Sequence, residues 1–184
     1  MKFTSDADWY QRLFQARELR LLSPEDVSEV ILFSMDTAKK AYQQYEELIA
    51  EGGYEAVFAE YSVAIQYVDT NVSSQVLALY DVEQNVLKIF RASIEAFYQH
   101  VLGKALEFSV SLEEVYRIVL ARELYHVIEM NENLYTYQKI MPRTFLGFRW
   151  RKRLVVASEI GAYHFAKLAE NLPYNLMVLE DYID

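Results

Sequence analysis

Apolar residues recur every three or four positions through the first part of the chain. This spacing across residues 6–22 predicts an amphipathic helix. Ser23 can cap a second helix, because Pro24 suits the first helical position and a serine hydroxyl can accept a backbone hydrogen bond there. The Gly52-Gly53 pair is expected to end this helix at about residue 51. Residues 1–51 are therefore predicted to form two amino-terminal helices.

Three short runs rich in Val, Ile and Tyr follow, at residues 61–68, 75–80 and 86–90. Runs of this length and composition, bounded by polar residues, predict β-strands. The polar segment 81–85 has the length of a hairpin turn, although it lacks the Asn-Gly or Asp-Gly pair that favours the tightest hairpins. A small sheet is therefore expected within residues 61–90.

Helical spacing returns after Phe90 and predicts a helix that ends within residues 104–107. A longer helix should begin at Ser111, because a serine followed three residues later by a glutamate, Glu114, forms a capping box. This helix is expected to continue to about Asn133.

A connection with Pro142 and Gly147 should separate this helix from the next one, which is predicted at residues 149–171. A short last helix is expected at 175–182. The 184 residues show neither an internal repeat nor a low-complexity linker, and this favours one domain. The predicted fold class is α+β and predominantly helical, with the helices packed with a small sheet; an all-α bundle is the alternative.

Composition limits the partners of the chain. Eighteen Lys and Arg against 27 Asp and Glu give a net charge of −9, which would repel nucleic acid and anionic membranes. The basic run from Arg149 to Arg153 is interpreted as a solvated helix start. The chain contains no cysteine, and its charged amino terminus lacks the apolar core of a secretory signal. A soluble cytoplasmic protein is therefore expected.

The helix predicted after Ser111 contains a possible chemical motif, Arg122-Glu-Leu-Tyr-His126. In an H-E-x-x-H motif, two histidines four residues apart bind one zinc ion, and the glutamate acts as general base on the metal-bound water. Glu123 and His126 occupy the second and fifth positions of this pattern. The first position is Arg122, whose guanidinium stays protonated and has no lone pair for zinc.

A second short segment lies on the following predicted helix. Glu159, in Ser158-Glu159-Ile160, lies 33 residues after His126, and the small Gly161 beside it would permit close helix packing. With the motif helix, this arrangement resembles small bacterial zincin-like metallopeptidases of the glutamate type, across roughly residues 75–179. The resemblance implies that His126 matches the second zinc histidine and Glu159 the third ligand. It also implies that Glu123 matches the general base.

Without the first histidine, we expect a non-catalytic zincin-like protein that acts by binding a protein or peptide partner. Arg122, His126, Glu129 and Glu159 would form its cleft, no cofactor is expected, and Glu123 would be a vestigial base. One alternative is an active metallohydrolase in which His126, Glu159 and Glu129 bind zinc. Another is a helical interaction module unrelated to zincins. A homodimer is compatible with the apolar composition, and the partner itself stays unidentified.

Two geometric expectations accompany this assignment. Arg122 should fill the vacated metal position and form a direct ion pair with Glu159, with a nitrogen-to-oxygen distance of about 2.7–3.2 Å. His164 lies five residues after Glu159, about 140° around the helix, so one metal ion should not reach both. His164 and His100 are therefore expected to have ordinary packing or surface roles.

Overall fold

A computed structural model describes residues 5–14, 22–70, 76–103, 106, 108–134, 136, 140–145 and 148–180. For residues 140–145, 148–153 and 180 it describes the backbone alone. In chain order the elements are α1 (Asp6–Tyr10), a 3-10 helix (Gln11–Leu13), α2 (Pro24–Glu60), β1 (Ala64–Val68), β2 (Ala78–Asp81), β3 (Val86–Phe90), α3 (Arg91–Leu102), α4 (Leu112–Asn131), β4 (Ile140–Phe145), β5 (Phe148–Arg153), α5 (Val156–Ala169) and α6 (Met177–Glu180). The fold is predominantly helical α+β, as predicted.

Capping boxes begin the two longest helices, at the serines that the sequence indicates. The Ser23 hydroxyl accepts a hydrogen bond from the Asp26 amide at 3.1 Å, and the Asp26 carboxylate accepts one from the Ser23 amide at 2.8 Å. Ser111 and Glu114 make the same reciprocal pair at the start of α4. Each box satisfies two amide donors that have no partner within the helix.

Helix α2 bends at Gly53, where φ is 71° and ψ is −175°. This is a conformation that side-chain-bearing residues rarely adopt, so the glycine pair interrupts the helix as the sequence indicates. The first helical segment ends at this glycine pair, as predicted, and a further helical segment that the sequence did not predict follows it and continues to Glu60. Tyr54, Val57 and Phe58 are buried at helical spacing, and their burial stabilises this last part of α2.

The three predicted strands form one mixed sheet with the order β1-β3-β2. Strand β3 is central: it pairs in parallel with β1 and antiparallel with β2. Leu87 and Ile89 of β3 are fully buried. Strand β2 is an edge strand and lies against α4. The sheet therefore contributes its β2 edge to the surface beside the motif helix, and the all-α alternative is wrong.

The largest error of the sequence analysis concerns residues 149–171, which were predicted as one helix. Residues 140–145 and 148–153 instead form the antiparallel strand pair β4–β5, with Arg143 paired to Trp150, and α5 begins only at Val156. The run from Phe148 to Arg151 alternates aromatic and basic residues, and this period of two favours a strand over a helix. The basic run is therefore in a strand and not at a helix start.

Three helix boundaries also differ from the predictions. The first helix is shorter than expected, because α1 ends at Tyr10 and Phe14 is extended; the rest of the predicted segment, 15–21, lies outside the described residues. Helix α3 ends at Leu102, before the predicted 104–107. The last helix is confined to Met177–Glu180 within the described residues, whereas 175–182 was predicted.

Helices α4 and α5 pack together closely beside the predicted site. A Cβ atom at Gly161 would lie 2.5 Å from Cζ of the fully buried Tyr125, so only glycine leaves room for this ring. Helix α5 also packs on α2, which places it in the centre of the helical layer. Within the described ranges, every helix is too short or too polar to cross a membrane.

Helix α1 packs beside α5 through polar side chains that are partly or fully buried. The Asp6 carboxylate accepts hydrogen bonds from Lys167 at 2.7 Å and from Asn175 at 2.9 Å. The Tyr10 hydroxyl lies 3.4 Å from Nδ1 of His164. Burial lowers the pKa of His164 to about 4, and the nearby Asp6 only partly opposes this effect. The folded protein therefore holds His164 neutral.

We expect His164 to make the protein less stable in acid. The unfolded chain protonates this histidine below its ordinary pKa of 6.5, whereas the folded chain does not until about pH 4. The free energy of unfolding should therefore fall by about 3 kcal/mol between pH 6.5 and 4 through this group alone. His164→Gln should remove that part of the fall in denaturant titrations, while His100→Gln, at an exposed site, should not. An unchanged pH dependence in His164→Gln would contradict the assignment.

Candidate functional site

An open cleft of about 430 Å³ lies between the β2 edge, α4 and α5. It contains most of the side chains that the sequence analysis selected. The described residues that line it are Tyr80, Val82, Glu123, His126, Glu129, Met130, Val155, Ser158 and Glu159. The motif helix and the following helix therefore bring Glu123, His126 and Glu159 together at one cleft.

Arg122 reaches Glu159 from beside the cleft. Its guanidinium nitrogen Nη2 lies 3.3 Å from Oε2 of Glu159, slightly longer than the predicted distance. The same guanidinium lies over the ring of Tyr163, 4.2 Å from the ring centroid. Arg122 is not among the residues that line the cleft; it borders a separate apolar pocket of about 30 Å³. The predicted ion pair is present, and it places Arg122 beside the cleft through its contact with the lining residue Glu159.

Glu129 is the most deeply buried acid of the site, with 1% of its side chain exposed. Its Oε2 accepts a hydrogen bond from the Ser158 hydroxyl at 2.5 Å, and its Oε1 accepts one from the Thr136 hydroxyl. Thr136 also bonds the hydroxyl of Tyr125 at 3.0 Å. Because a buried carboxylate without donors would be costly, these hydroxyls are what make the position of Glu129 stable.

His126 joins this network through a single ring nitrogen. Its Nδ1 lies 3.4 Å from Oε2 of Glu129 and 3.2 Å from the Ser158 hydroxyl. Burial lowers the pKa of His126, but the hydrogen bond to Glu129 and the charges of Glu123 and Glu159 outweigh it, so the pKa lies above its usual value. A protonated His126 would balance part of the negative charge of the cleft.

Glu123 lies at the position that the resemblance assigns to a general base. Burial raises its pKa above the usual value; the charges of His126 and Arg122 oppose the shift, and Glu159 adds to it. No described residue donates a hydrogen bond to its carboxylate. Glu123 is therefore a partly buried acid whose negative charge is balanced only through space.

The arrangement limits the chemistry of the cleft. Among the described residues, no group of three or more His, Asp or Glu side chains is placed to hold a metal ion. A Ser-His-Glu relay needs the two ring nitrogens of the histidine to serve the serine and the acid separately. Here Nδ1 of His126 faces both Ser158 and Glu129, so this trio is a structural network and not a relay.

The other two histidines lie away from these groups. His164 faces Tyr10 of α1, in agreement with the expectation that it does not share a ligand with Glu159. His100 is exposed near the end of α3. Both occupy the packing and surface positions that the sequence analysis assigned to them.

Part of the site was not predicted from the sequence. Ser158 was noted only as part of the segment around Glu159, yet its hydroxyl connects α5 to Glu129 and His126. Thr136 follows the motif helix and carries no recognisable pattern. Tyr80 and Val82 line the cleft from the sheet, and only the strand arrangement could have placed them there.

Comparison with known proteins adds no assignment to this geometry. No protein-family model, curated protein or solved structure matches the chain.

Proposed function

We propose that the chain is a non-catalytic zincin-like protein whose cleft binds a protein or peptide partner. The observation that carries this proposal is the contact between Arg122 and Glu159. The resemblance assigns these two positions to zinc ligands, and here a permanent cation binds the carboxylate directly. A guanidinium stays protonated and has no lone pair with which to coordinate zinc. The pair therefore occupies two zinc-ligand positions of the resemblance without forming a metal site.

The edge strand β2 supports a peptide as the occupant. The Phe90 amide donates to the Leu77 carbonyl, so the alternate residues Leu79 and Asp81 face β3 in the antiparallel ladder. The backbone groups of Ala78 and Tyr80 then point to the open edge. Within the described part of the sheet, no strand pairs with that edge. An extended peptide could add a strand there and place its side chains in the adjoining cleft.

The runner-up is a metallohydrolase that uses His126, Glu159 and Glu129 as zinc ligands. The 3.4 Å between Nδ1 of His126 and Oε2 of Glu129 is a separation that two ligands of one zinc ion could have. Oε2 already accepts the Ser158 hydroxyl, and this competes with a metal. Such a site would also depend on one imidazole with carboxylates, a donor set that suits zinc less well.

Peptide display separates these two functions. The immobilised protein should recover peptides from a random dodecapeptide library in the presence of EDTA and leave them uncleaved. Ala78→Pro removes one outward-facing amide while keeping the ladder to β3, so it should weaken the selected peptides at least about tenfold. Cleavage that is abolished both by EDTA and by Glu123→Gln would contradict the proposal and favour the metallohydrolase.

A further inference from the structure

The cleft carries negative charge that no described lining residue fully balances. Glu123, Glu129 and Glu159 line it, and no lysine or arginine is among the described residues that do so. His126 provides the one titratable base of the lining. Arg122 binds Glu159 from beside the cleft, and its charge also opposes the rise that burial causes in the pKa of Glu123, so it balances part of the negative charge.

The three acids differ in what they could offer to a ligand. Glu129 is fully occupied by Ser158, Thr136 and His126. Glu159 keeps 40% of its side chain exposed and pairs with Arg122 through Oε2. Glu123 accepts no hydrogen bond from the described residues although it is partly buried. Glu123 and Glu159 are therefore the two acids of the cleft that a donor could bind.

The rim of the cleft is apolar and open to solvent. Val82, Met130 and Val155 are 56%, 40% and 61% exposed, and they come from the turn after β2, from α4 and from the N-cap position of α5. Exposed apolar side chains on three elements around one concave volume are typical of a binding surface. The rim residues could pack against the aliphatic part of a long side chain while its charged end group contacts the acids below.

We infer that the occupant of the cleft is a lysine or arginine side chain of an extended peptide, with its head group at Glu123 and Glu159 and its stem between the apolar rim residues. This inference rests on the peptide-binding function proposed above and specifies its ligand. The net charge of −9 on the whole chain agrees with it, because long-range attraction would favour the approach of a basic segment.

The peptide selection tests this chemistry directly. Peptides recovered by the wild-type protein should be enriched in Lys or Arg at one position relative to the unselected library. Replacing that residue with norleucine in a synthetic copy should lower affinity at least about tenfold, because a charge-assisted hydrogen bond is lost. Glu123→Gln should reduce the enrichment, whereas Glu46→Gln, an equal charge change at an exposed site on α2, should not.

Each outcome of the peptide selection either supports the inference or overturns it. A basic position that depends on Glu123 supports the inference. Recovered peptides without a basic position, or with one that Glu123→Gln leaves unchanged, overturn the inference and leave the peptide-binding function in place. If no peptide is recovered at all, the proposed function fails and the inference fails with it.

Discussion

Glu129→Ala should destabilise the protein by about 3–5 kcal/mol, the range typical of breaking a buried polar network. The substitution removes the acceptor for two hydroxyls, those of Ser158 and Thr136, which are 5% and 0% exposed. The two buried hydroxyls would lose their carboxylate acceptor and keep only their contacts to His126 and Tyr125, and His126 would lose its closest acid. The free energy of unfolding from denaturant titration at neutral pH measures this effect.

Two further variants identify the cause of that loss. Glu129→Gln keeps the volume and one carbonyl acceptor, so it should recover part of the stability. Glu46→Ala removes an exposed glutamate of α2 and should change stability by less than about 0.5 kcal/mol. A loss below about 1 kcal/mol in Glu129→Ala would show that the network does not hold α4 and α5 together.

Local sequence signals were sufficient for the start of the motif helix and for the central strand of the sheet. Ser111 and Glu114 mark the start of the motif helix because a capping box depends only on residues three apart. The strand at residues 86–90 was predicted with its observed boundaries, since its apolar run is bounded by polar residues and by a helix. The motif helix places Glu123 and His126 at the cleft, whereas Glu159 comes from α5, whose start was not predicted.

Features that depend on distant contacts were not predictable in the same way. The helical resumption after Gly53 depends on the burial of Tyr54 and Phe58 within the core, whereas a glycine pair alone predicts a helix end. The position of Arg122 beside the cleft also depends on tertiary structure, because the ring of Tyr163 attracts the guanidinium. The spacing of residues along a helix gives only the direction in which each side chain leaves the backbone. The position of the Arg122 guanidinium depends on the neighbouring ring of Tyr163.

Arg122→His should create a zinc site. Helical spacing places positions 122 and 126 about 40° apart on α4, and Glu159 already contacts position 122 across the helix interface. Two imidazoles and a carboxylate are a donor set that zinc binds tightly. Zinc must displace the proton of His126, whose pKa lies above its usual value, so binding should strengthen as pH rises.

Two controls separate a zinc site from a general effect of removing the cation. Arg122→Gln removes the guanidinium without adding an imidazole and should bind no zinc. Arg122→His combined with Glu159→Gln should lose most of the gained affinity, because the third ligand is gone. Equal binding by all three variants would assign the metal to other groups.

Calorimetric titration of zinc into the wild-type protein and Arg122→His at pH 8 tests the central claim most directly. The account predicts no binding tighter than about 1 mM for the wild type, and one equivalent bound with a dissociation constant of about 1 µM or tighter for the variant. Tight stoichiometric zinc in the wild type would contradict the claim that the cleft is free of metal. A folded variant that binds no zinc would show that the three positions do not form a zincin-like site.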